Sequence, residues 1–161
     1  TDHFTLRKFR LKCLIISFRV TIMLSKALAL VSTVLLLMSL GFSVLGATPL
    51  LILKHKLPMD SRVVRQVFHY CYRLVAVVAI AASIGHALEG RALLSLCTGG
   101  IALMAVAVHH LMLTRMDVLR TTMHDGDFRA IRQFRALHIA GLAVNLALLA
   151  AAIWAIRQIT L

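Results

Sequence analysis

The chain has 161 residues, 60% of them hydrophobic and only 15% charged, with a mean hydropathy of +0.89 and a formal net charge of +12. Such a balance is too apolar for a water-soluble domain, and its long Leu/Ala/Val tracts exclude a disordered or collagen-like chain. The chain therefore reads as a single integral membrane domain.

The bilayer core is about 30 Å thick and needs roughly 20 helical residues to cross it. A basic N-terminal segment comes first, residues 1–26, with Arg7, Lys8, Arg10, Lys12, Arg19 and Lys26. Four apolar runs follow, over residues 27–53, 68–88, 92–114 and 136–156, and Arg73 is the one charge inside them. These runs are continuous, whereas strands of a membrane barrel would alternate, so each predicts a helix. The expected fold is all-α: a four-helix membrane bundle over residues 27–157 behind a basic N-terminal extension. Its connections are Lys54 to Val67, a tight Glu89-Gly90-Arg91 turn, and a polar stretch from Arg115 to Arg135.

Basic residues cluster at the ends of the apolar runs and are not interleaved with aromatics, which speaks for membrane topology and against a nucleic-acid partner. The first and third connections share one membrane side and carry Lys54, Lys56, Arg62, Arg65, Arg115, Arg120, Arg129, Arg132 and Arg135. The other side offers Arg91 and Arg157. Excess Lys and Arg mark the cytoplasmic face, so loops 54–67 and 115–135 are expected there, in a multi-pass protein of a bacterial inner membrane. The basic N-terminal segment opposes this orientation. It could insert as a fifth segment over Leu11 to Leu24, lie on the surface as an amphipathic helix, or be an upstream extension of a protein that starts at Met23. The last is the preferred reading.

Cys13, Cys71 and Cys97 form no C-x-x-C pair, and the two inside the runs read as small apolar side chains. Hydrolase, zincin and P-loop motifs are absent, so no enzyme activity is expected. Polar residues within the spans are more informative, because lipid leaves an unpaired polar group costly and turns it toward protein. By topology His69, Tyr70, Arg73, His109, His110 and His138 lie at similar depth, with Pro49 and His55 on the same side. His138, Gly141 and Asn145 recur at i, i+3 and i+7 and form one stripe facing other helices, with glycine allowing close approach. His69 and Arg73 stand one turn apart on a shared face. His109 and His110 diverge by about 100°, so at most one of them faces the core. Tyr70, Tyr72 and Trp154 read as interfacial aromatics, and Met104 and Met112 as core or lipid-facing filler.

Histidines on separate helices at one depth are also what a non-covalent b-type haem needs, with His69, His109 and His138 as candidate ligands. The same three could hold copper, although no carboxylate or cysteine accompanies them. Neither cofactor is the preferred expectation. His138, Asn145, His69, Arg73 and His109 are instead the candidates for bundle-facing or ligand-binding polar residues.

Three stretches carry a resemblance: PLLILKHKLP over Pro49 to Pro58, FHYCYRL over Phe68 to Leu74, and FRALHIAGLAVN over Phe134 to Asn145, after an Asp-Gly-Asp segment at Asp125 to Asp127. Together they resemble the bacterial four-helix membrane family catalogued as domain of unknown function forty-one forty-nine, related to transmembrane protein two-oh-five. The similarity runs over most of Lys26 to Ile156. A looser similarity, through Arg65 to Leu88, is to copper-resistance D-type membrane domains. The family resemblance implies a bundle in a membrane and no established reaction. The expected function is that of a non-enzymatic accessory subunit or small transport-related component, whose partners are the bilayer and other membrane subunits.

Overall fold

A computed structural model describes the backbone of residues 2–50, 58–123 and 128–157, and side chains for most residues from 16 onward. Four α-helices account for it: α1 (Asp2–Leu50), α2 (Pro58–Leu88), α3 (Ala92–Met123) and α4 (Phe128–Arg157). The all-α four-helix bundle read from the sequence is what forms. Each helix contains a stretch long and apolar enough to cross a bilayer: Arg19–Gly46, Arg62–Leu88, Ala92–Leu119 and Arg129–Arg157.

The helices form a ring in which α2 packs on α1 and α3, and α4 packs on α3 and α1. Pairings between side chains fix the directions. Arg65 meets Asp117, His69 meets His109 and Ser83 meets Ser95, so α3 runs against α2. Phe68 meets His138 and Tyr72 meets Gly141, so α4 runs with α2, diagonally across the bundle.

The outer surface is the inverse of a soluble protein's. Leu45, Leu96 and Leu103 are each more than 70% exposed, as a hydrocarbon solvent allows. With no hydrophobic drive between helices in lipid, packing and interhelical hydrogen bonds hold the ring. At the α2–α3 seam Ser83 Oγ donates to the Ser95 carbonyl at 2.9 Å, and Ser95 Oγ donates to the Ser83 carbonyl at 3.0 Å. At the α1–α2 seam a Cβ on Gly85 would stand 2.7 Å from Ala29 Cα, so glycine sets how closely those two backbones approach.

The α2–α3 turn is short because α2 ends on a left-handed glycine. Gly90 has φ +72°, its amide donates to Ala87, and the Arg91 amide donates to His86, each at 3.0 Å. That pair of bonds is the Schellman cap, which satisfies orphan carbonyls while reversing the chain.

α1 is helical without interruption from Asp2 to Leu50, so the basic N-terminal segment continues into the first span. At about 1.5 Å per residue such a helix exceeds the bilayer core more than twofold. The described part of α1 reaches Leu50; residues 51–57, with Lys54, His55 and Lys56, lie outside the described residues, as do Asp125 to Asp127.

Candidate functional site

The polar residues singled out in the sequence gather at the bundle end where α2 and α4 begin and α3 ends, but they split into an inner and an outer group. The inner group is sealed. His138 is 0% exposed and Asn145 1% exposed, both on the α4 stripe that also presents Gly141 inward. The His138 ring stands edge-on to Phe68, with centroids 5.3 Å apart at an interplanar angle of 89°. A Cβ on Gly141 would fall 2.7 Å from both Met112 Cε and Phe68 Cε1, so glycine here makes room for large neighbours. Phe134, Met116, Leu36 and Leu40 fill the rest of this layer.

Tyr72 closes the inner group and corrects its assignment as an interfacial aromatic. It is 1% exposed, stacks on Phe68, and donates its hydroxyl to the Gly141 carbonyl at 3.2 Å. The physical reason is helical phase: Tyr72 follows Phe68 by four residues and so shares its inward face, whereas Tyr70 is turned away and is 67% exposed. Trp154 is 55% exposed. The amide oxygen of Asn145 is buried and has no hydrogen-bond partner among the described residues.

The outer group is a chain of polar contacts along the α2–α3 seam. His109 Nε2 and His69 Nδ1 are 3.1 Å apart, and Arg73 Nη1 lies 3.4 Å from His69 Nε2. One imidazole nitrogen of the facing pair must carry the proton and the other accept it. The Tyr70 ring stands against His69 with centroids 5.4 Å apart. His109 turns toward this seam while His110 is exposed, as the divergence of adjacent helical residues requires. Arg73 is exposed too, within the apolar stretch of α2.

The three candidate metal ligands do not converge. His69 and His109 meet each other, His138 is held against Phe68, and no group of three His, Cys, Asp or Glu side chains suited to one metal ion occurs among the described residues. A metal in line between two histidine nitrogens separates them by about 4 Å, twice a bond of about 2 Å. At 3.1 Å His69 and His109 are in hydrogen-bond contact instead. A porphyrin between them would require the α2–α3 seam to open.

Two contacts had not been foreseen. Arg65 forms a two-pronged ion pair with Asp117, with Nη2 to Oδ2 at 2.8 Å, tying α2 to α3 one turn beyond His69. Asp117, an acid in a strongly basic region, was the signal for it. Thr33 Oγ1 and His86 Nε2, 3.0 Å apart, tie α1 to α2 near the opposite end of the bundle.

Compared with known protein families, with curated proteins and with solved structures, the chain finds no match.

Proposed function

We propose that the chain is a non-enzymatic accessory subunit of a larger membrane complex, and that the α2–α3 face bearing Tyr70 and Arg73 is where its partner sits. One observation carries this reading: Arg73 is exposed within an apolar span, on a surface otherwise suited to hydrocarbon. A charged side chain at the centre of a span costs about 2.5–3.5 kcal/mol even by the mildest scales, less toward its ends, and such residues usually face protein or a water-filled cavity. A neighbouring subunit with a carboxylate or another acceptor at that depth would satisfy the guanidinium. The filled interior around Phe68, Tyr72, Phe134 and Met116 favours a scaffold over a transport path through the polar end.

In the same reading the protein resides in a bacterial inner membrane, with the connections 54–67 and 115–135 on the cytoplasmic side. The basic residues of those stretches support that orientation. The experiment is gentle purification from native membranes, with mass measurement of the particle and a visible spectrum before and after dithionite. A stoichiometric complex that dissociates when Arg73→Leu is introduced, with the helical content intact, is the expected result. A solitary particle, or a Soret band lost in His69→Ala and His109→Ala, would replace this reading, the latter with a b-type haem subunit.

A further inference from the structure

At the end of the bundle opposite the histidine chain, the ring is open. A groove of about 460 Å³ runs between α1, the end of α2 and the end of α4, within the size range of small-ligand sites. Its walls are apolar, formed by Leu30, Val34 and Leu37 of α1 with Ile156 of α4. Its mouth is polar, with Lys26, Glu89 and Arg91, and these three residues also line an adjoining recess of about 220 Å³ together with Ser25. An apolar trough thus joins a smaller recess of mixed lining, with Ile22 and Leu88, at a shared charged rim.

The depths match one leaflet. Lys26 ends the charge-free run of α1, and Leu37 lies eleven residues further along, about 16 Å at helical rise. Half of the bilayer core is about 15 Å. Part of the way down, His86 and Thr33 line the wall. His86 is 3% exposed, bonds Thr33 through Nε2, and leaves its buried Nδ1 without a hydrogen-bond partner among the described residues.

Charge selects the head. The Arg91 Nε to Glu89 Oε2 distance is 3.2 Å, so these two neutralise each other, while Lys26 has no counter-ion within 4 Å among the described residues. The rim therefore keeps one uncompensated positive charge. From this geometry we propose that the groove binds a membrane amphiphile with an anionic head at Lys26 and one hydrocarbon chain along Leu30, Val34 and Leu37. The site is independent of the α2–α3 face and of any partner bound there. A phospholipid phosphate and a free fatty-acid carboxylate share this chemistry.

The test uses the full chain purified in dodecyl maltoside and presented with phosphatidylglycerol, with phosphatidylcholine of the same acyl chains, or with palmitate. Native mass spectrometry counts the molecules retained per chain. One anionic molecule should be held, about fivefold more strongly than phosphatidylcholine, as a single partly exposed charge contact allows. Lys26→Ala, a change at an exposed residue, should erase that preference. Val34→Trp should fill the trough and abolish retention of all three without altering helical content. Retention of phosphatidylglycerol assigns the head to a phospholipid; retention of palmitate alone assigns it to a fatty acid. Equal retention of the two phospholipids by the unaltered chain, or undiminished retention by Val34→Trp, would overturn the proposal.

Discussion

The two ends of the bundle contain similar chemistry in different volumes. Each has a buried histidine, a hydroxyl bonded across helices and an arginine: His138, Tyr72 and Arg73 at one end, His86, Thr33 and Arg91 at the other. At the first end Phe68, Tyr72, Phe134 and Met116 fill the centre and the polar groups serve packing. At the second the inward residues include Ala29, Ala79, Ala82 and Gly85, and space remains for a ligand. What separates a sealed polar end from a binding groove is therefore the size of the neighbours, not the identity of the polar residues.

That contrast can be tested by exchanging volumes. The largest effect is expected for Phe134→Ala, which empties a fully buried ring site and should cost about 3–5 kcal/mol, read by thermal or denaturant unfolding in detergent. Leu37→Ala, at the groove wall, should cost far less, since one side of that residue already faces open space. Next in size, Gly85→Ala should lose about 1–3 kcal/mol, because the added methyl meets the backbone of Ala29, which cannot turn aside. Gly141→Ala should lose a comparable amount, since the added methyl meets the buried Phe68 ring as well as the more flexible end of Met112. A smaller loss, about 0.6 kcal/mol, is expected for Tyr72→Phe, which keeps the ring and removes one interhelical hydrogen bond. Asp117→Asn falls in the same low range: this partly exposed ion pair should contribute at most about 1 kcal/mol, with a loss that shrinks further as salt is raised.

Much of this was legible in the chain. The four apolar runs define the helices, and the i, i+3, i+7 spacing of His138, Gly141 and Asn145 places them inward, as Gly141's contacts with Phe68 and Met112 bear out. Arg73 and His69 share a face because they are one turn apart, and His109 but not His110 turns toward the seam. Tyr72 was misread because composition places tyrosine at the interface, while its phase with Phe68 places it in the core. The His69–His109 contact and the groove beside His86 were not legible, for a physical reason. Depth along a helix follows from topology, but rotation about its axis relative to neighbours is set by packing, and an open space between three helices has no residue pattern of its own. Asp117 shows the intermediate case: its charge was visible, and its partner on another helix was not.

The central claim, that the α2–α3 polar face meets a partner subunit, is tested most directly by photo-crosslinking in native membranes. A photoreactive phenylalanine analogue would stand at Tyr70, beside His69, and as a control at Leu96, an exposed apolar position of α3 near the other end of the bundle. A protein adduct of one defined mass from position 70, reduced by Arg73→Leu and absent from position 96, is the expected result. Lipid adducts alone from both positions would contradict it.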